Sequence, residues 1–227
     1  MVRWFLGLMV ATMLAGAAST AELDKARDRQ DRAALDRLAG EFVAAAEKSP
    51  KDGTAQYQAA LAHSYIAAVA IEVRDRARAR DAAEAGIRLA QQAVSLAPRS
   101  GEYHRVLGTL CGQAVRDLVS GMKWGRCAQE EVNKAIELDS KSAMALLSRG
   151  VGNFYLPAMF GGGVENAIRD FEGAIQLDPK LADAHLWLGI ALRKANRQDE
   201  ARKAIARSLE LNPNRVWARQ QLEKTPQ

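Results

Sequence analysis

Four short tails recur along this chain, Leu96-Ala97-Pro98, Leu138-Asp139-Ser140, Leu177-Asp178-Pro179 and Leu211-Asn212-Pro213, and each closes an apolar stretch of helical period. Proline lacks an amide hydrogen and clashes with the preceding turn, so three of the four read as helix stops. Ser49-Pro50 is an earlier stop of the same kind. Five residues before these five ends stand Ala45, Ala93, Ala135, Ala174 and Ser208, and twelve before them stand Leu38, Gly86, Ala128, Ala167 and Ala201. Ten residues after the first four ends come Ala60, Gly108, Gly150 and Gly189. Small residues at fixed places on successive helices let their backbones approach closely. The chain is therefore expected to fold as a row of antiparallel helix pairs, each burying the apolar face that its neighbour leaves open.

This pattern resembles the tetratricopeptide repeat, a helix-turn-helix unit of about 34 residues with small side chains at positions 8, 20 and 27 and proline at position 32. The unit beginning at Ala182 carries Leu188 and Gly189 at positions 7 and 8, Ala201 at 20, Ser208 at 27 and Pro213 at 32. His185 and Ile205 stand where the family has aromatic residues, whereas the preceding unit keeps Phe171. The spacing from Pro179 to Pro213 is 34 residues, but it lengthens backwards to 39, 42 and 48. Landmarks within the second helices keep their spacing, so the extra residues are expected late in the first helices or in the turns after them. The resemblance implies an all-α fold, a right-handed superhelical array of antiparallel helix pairs. Repeats are expected at about 53–98, 101–140, 143–179 and 182–213, with an opening helix at 22–48 and a C-terminal capping helix at 215–224, all within a single domain, 22–227.

The first residues differ from the rest. Arg3 precedes an apolar run from Trp4 to Ala15, which ends in small residues through Ala21. The run is shorter than the ~20 apolar residues of a membrane span and has the layout of a secretory signal. Residues 1–21 are expected to be that signal, with cleavage after Ala17 or, leaving a polar start at Glu22, after Ala21; the location is then periplasmic or secreted, with no stable membrane insertion after cleavage. The formal charge of +5 is mild and its basic residues are interleaved with acids, which argues against nucleic acid as a partner. Arg74, Arg76, Arg78 and Arg80 are the densest basic stretch, read as a solvated face or as a patch for an acidic partner.

Only two cysteines occur, Cys111 and Cys127, one in each helix of a pair and close to where the helices should cross. In an oxidising compartment they are candidates for a disulfide; the alternative is two buried thiols acting as small apolar side chains. Catalytic signatures such as HExxH, CxxC, GxSxG or a phosphate loop do not occur, and Gly161-Gly162-Gly163 lacks the Lys-Ser or Lys-Thr that a phosphate loop needs. No enzyme activity, cofactor or metal is expected. The stretch Leu156 to Gly163 is expected to absorb one insertion, and Met159 and Phe160 there would either meet a partner or fold back onto the neighbouring repeat.

In the resembled family the first helices line a concave surface that receives peptides or partner segments. Carried over to this sequence, that surface includes Tyr57, Leu61 and Tyr65, then Arg105, Thr109 and Gln113, then Leu147, Val151, Phe154 and Tyr155, then Leu186, Ile190 and Arg193. The set is mostly apolar and lacks the lysines and asparagines of members that clamp a C-terminal carboxylate. Such a face suits a protein or peptide partner, and the chain is expected to be a noncatalytic scaffold or adaptor; a transport-associated carrier of a hydrophobic small ligand is the alternative. The same side chains could also be buried by a tightly wound superhelix.

Overall fold

The computed structural model describes residues 18–226. Among them are eleven α-helices and no strand. They form five antiparallel pairs: α1 (Thr20–Asp28) with α2 (Arg32–Lys48), α3 (Gly53–Glu72) with α4 (Arg76–Leu96), α5 (Gly101–Ala114) with α6 (Leu118–Leu138), α7 (Ala143–Tyr155) with α8 (Val164–Leu177), and α9 (Ala182–Lys194) with α10 (Gln198–Leu211). A final helix, α11 (Val216–Glu223), covers the last pair.

Each paired second helix stops at or just before its tail. The starts are fixed by caps: Asp31, Asp52, Asp75, Ser100, Asp117 and Ser142 each accept a hydrogen bond from an amide in the first turn of the following helix. The recurring small residues lie where paired helices touch. A Cβ on Gly108 would stand 2.9 Å from the Val132 backbone nitrogen, and one on Gly189 2.8 Å from the Ala201 carbonyl oxygen. Ala167, Ala174, Ala201 and Ser208 are fully buried. Phe171, at the aromatic position, is the largest fully buried side chain and packs against Gly150.

Two expectations are corrected. Residues 22–48 are not one opening helix but the pair α1 and α2, because Gln30 takes a left-handed conformation at φ 52° and turns the chain back. The same three-residue turn recurs after α3, with Arg74 at φ 63°, and after α9, with Asn196 at φ 62°. In all three the third amide after the helix reaches a carbonyl five residues back, as in Asp75 to Ala70 at 2.8 Å and Arg197 to Leu192 at 2.9 Å. The extra residues are also not confined to first helices and turns. Pair α3/α4 has helices of 20 and 21 residues where α9/α10 has 13 and 14, so both arms grow by two helical turns around an unchanged turn. Helix α6 is likewise 21 residues long, extended at its start by Leu118 to Trp124. Only in α7/α8 does the connection itself lengthen, through Leu156 to Gly163 with a 3₁₀ turn at Ala158–Phe160.

The expected signal lies mostly outside the described residues. Its last residues belong to the fold, since Ser19 caps α1 in a reciprocal box with Glu22.

Candidate functional site

The first helices run side by side in the same direction. Thr109 Oγ1 donates to Ser148 Oγ at 3.2 Å between α5 and α7, and Lys194 Nζ donates to the Phe154 carbonyl at 3.1 Å where α9 and α7 end. Their shared face is the concave side, and the array winds tightly enough for its ends to meet across it. Arg27 on α1 pairs with Asp183 at the start of α9 at 2.9 Å, although more than 150 residues separate them. Arg215 forks onto Glu72 at the end of α3, at 2.5 and 3.2 Å, and also approaches Asp183 at 3.3 Å and Asp28 at 3.8 Å. Asn212 donates to Asp28 at 2.7 Å, Gln30 to Glu72 at 2.8 Å, and Gln220 to Gln30 at 3.3 Å. The two extra turns of α3 are what carry Glu72 far enough to meet Arg215.

This closure is electrostatic and nearly dry, with the side chains of Arg215 and Glu72 each only 4% exposed. Burial alone would push the Asp183 carboxyl up, but Arg27 and Arg215 outweigh it and hold that group below the usual carboxylate range.

The sequence-expected lining is distributed around this closed interior. Leu61, Leu147, Leu186, Ile190 and Arg105 are buried. Tyr57 stacks on Tyr103 with ring centroids 5.0 Å apart and donates its hydroxyl to Glu102 at 2.9 Å. Arg105 forks onto the same Glu102 at 2.6 and 2.7 Å. Burial favours protonation of Glu102, yet these hydrogen bonds and the Arg105 charge keep its carboxyl depressed. Tyr65 donates to Asp24 at 2.7 Å beneath the Arg27 guanidinium, and burial raises its phenol. Val151 and Phe154 are half-buried, and Tyr155 beside them is 63% exposed. Phe154, Tyr155 and Trp187 are mutually edge-on at 5.1 to 6.1 Å, and Trp187 continues to Trp217 at 5.1 Å.

The residues that close the ring, Arg27, Asp28, Glu72, Asp183 and Arg215, were not singled out from sequence. Nothing local marks them, because each pair joins distant turns. Cys111 and Cys127 are joined as a disulfide across α5 and α6, with Cα atoms 5.9 Å apart. His104 is buried between Glu131, 2.6 Å from its Nδ1, and the Pro98 carbonyl, 3.0 Å from its Nε2; His185 meets the Pro179 carbonyl the same way. Among the described residues no three His, Cys, Asp or Glu side chains converge as a metal site would require, and no helix is long and apolar enough to cross a membrane.

These features define a closed α-solenoid of helix pairs. The family model for the tetratricopeptide repeat matches residues 162–222, and the same helix-pair architecture extends back to α1. Among solved structures, a thermophilic tetratricopeptide-repeat protein of Thermus thermophilus is similar in fold, with a TM-score of 0.63 at 18% identity over 90% of this chain and 97% of the other. The haemophore HusA of Porphyromonas gingivalis is similar at 0.61, with 17% identity over 80% of this chain and 96% of the other. No curated protein sequence matches.

Proposed function

We propose that the protein is a noncatalytic scaffold that binds a protein or peptide partner in the periplasm or outside the cell. The observation that carries this reading is the aromatic strip Phe154, Tyr155 and Trp187, where the concave side keeps an accessible edge: Tyr155 is largely exposed at a position whose counterparts in the family face partners. Rigid aromatic side chains with a polar tip bury much area at little cost in conformational entropy, which suits them to anchor a partner. The buried closure charges and the Tyr57–Glu102–Arg105 cluster then serve to hold that strip in place.

Export is supported by the apolar segment before Ala18 and by a disulfide that persists in oxidising compartments. Cleavage after Ala17 would leave the Ser19 cap of α1, whereas cleavage after Ala21 would remove it. The N-terminal sequence of protein recovered from the cell envelope tests both points, and recovery of uncleaved protein from the cytosol would count against export.

The partner is tested with a photo-cross-linking residue at Val151, which is half-buried beside the strip; Leu147, at 6% exposed, is unsuitable. A protein-sized adduct, lost on Tyr155→Ala without change in melting temperature, supports the scaffold. A mass increment of a few hundred daltons, or no adduct from folded protein, refutes it.

A further inference from the structure

Relative to the 34-residue spacing of the last pair, the three preceding pairs carry 14, 8 and 5 additional residues. All lie where a first helix turns into its second helix: in the extended tips of α3 and α4, at the start of α6, and in the α7–α8 connection. Because the first helices are parallel, these tips share one edge of the solenoid. The added turns of α3 carry Glu72 to Arg215, whereas Leu118, Val119 and Met122 at the start of α6 and Met159 and Phe160 in the α7–α8 connection stay exposed.

That edge carries the four most exposed large apolar side chains among the described residues, with Phe160 beside them in sequence. Leu118, Val119 and Met122 are 78, 71 and 71% exposed in the added turns of α6, and Met159 and Phe160 are 83 and 61% exposed in the α7–α8 connection. Soluble surfaces tolerate single apolar residues, but clustered ones mark a contact.

Its charged surroundings are basic. Arg74, Arg76, Arg116 and Lys123 are exposed and form no ion pair among the described residues; of the acids nearby, Asp75 pairs with Arg32 at 2.9 Å, Asp81 with Arg80 at 2.6 Å and Glu130 with Arg126 at 2.7 Å, while Asp117, which accepts from the Ser120 amide at 2.8 Å, keeps its charge. Glu165 and, at the start of α10, Asp199 are exposed acids in no ion pair among the described residues. The tips belong to consecutive pairs, since α4 packs on α5 and α6 on α7. Trp124, half-buried against the core with Lys123 4.4 Å above its ring, anchors the added turns of α6 from behind.

We propose that this edge docks on the face of an anionic phospholipid bilayer, with Leu118, Val119, Met122, Met159 and Phe160 dipping into the headgroup boundary and Arg74, Arg76, Arg116 and Lys123 meeting the phosphates. The contact is peripheral and reversible. It requires no spanning helix, and added salt weakens it by screening the basic residues.

Flotation of the purified full chain with vesicles tests the proposal. Vesicles of phosphatidylglycerol and phosphatidylcholine should carry at least tenfold more protein than phosphatidylcholine alone. Leu118→Asp with Met122→Asp should cut that binding about tenfold, as should Met159→Asp with Phe160→Asp, and Arg116→Glu with Lys123→Glu should remove the preference for anionic lipid. These positions are exposed, so helical circular dichroism and melting temperature should stay at wild-type values, which separates lost docking from lost folding. Absence of wild-type flotation, or undiminished binding by the paired aspartate variants, overturns the proposal. So does light scattering that finds a wild-type dimer dissociated by Leu118→Asp, because the edge would then belong to a second copy of the chain.

Discussion

Replacing Arg215 by methionine tests whether the ends of this solenoid are locked together. The substitution keeps much of the side-chain length and removes the cation that Glu72 faces at 2.5 Å and Asp183 at 3.3 Å. Asp183 and Asp28 retain Arg27, at 2.9 and 2.7 Å, but Glu72 keeps only the Gln30 amide at 2.8 Å. Removing one partner of a buried ion pair costs about 3–5 kcal/mol, because the other charge stays out of water without compensation. Because Gln30 still donates to Glu72, the loss is expected at the lower end of that range, about 3–4 kcal/mol. For a chain of this size that corresponds to a fall in melting temperature of about 6–16 °C. The transition should also broaden, since the closure couples terminal pairs that in an open array would unfold independently. Thermal and urea melts followed by circular dichroism measure both effects. Combining Arg215→Met with Glu72→Gln should cost less than the two single changes summed, by about 1–3 kcal/mol. A single variant melting within a degree or two of wild type, or strictly additive changes, would refute the closure as an energetic unit.

Three further outcomes follow from the geometry. Gly108→Ala should destabilise by about 1–3 kcal/mol, because the new methyl meets the Val132 backbone at 2.9 Å, while Gly152→Ala, in open space on α7, should stabilise by about 0.5–1 kcal/mol; equal effects in a melt would mean that the helix contact is misplaced. Reducing the Cys111–Cys127 disulfide, whose cysteines are 16 residues apart, should lower stability by about 3 kcal/mol, read as the melting shift of protein whose reduction is verified by thiol titration. Asp183 and Glu102 are both depressed in the folded chain, so the stability they contribute is present above the ordinary carboxylate range near pH 4 and is lost as pH falls through their lower folded values. Melts from pH 7 to pH 2 should therefore show a plateau that collapses below about pH 4, and a wild-type Tm that rises on acidification would contradict this sign.

Much of the fold was legible because a repeat fixes its own contacts. Gly108, Gly150, Gly189, Ala167 and Ala201 were marked by spacing alone, and each lies at a helix crossing where a larger side chain would collide or has no room. The helix ends and the partner face of Phe171 followed from the same register. The placement of the insertions was half-legible. Seven residues make two helical turns, so lengthening both arms of α3/α4 preserves every landmark while leaving the Arg74 turn as it is, and spacing cannot distinguish that from a longer loop. Gln30 was missed because a left-handed turn residue other than glycine carries little sequence signal.

Sequence by itself determined the unit, its register and the short contacts between neighbouring helices, which depend on residue size at fixed intervals. Only the tertiary structure decided how far the units wind. Curvature accumulates from small rotations at every interface, and the meeting of Arg27 with Asp183 and of Glu72 with Arg215 is the sum of those rotations, written in no single repeat. That sum buries Leu147, Leu186 and Ile190, leaves Tyr155 accessible, and keeps the start of α6 and the α7–α8 connection exposed.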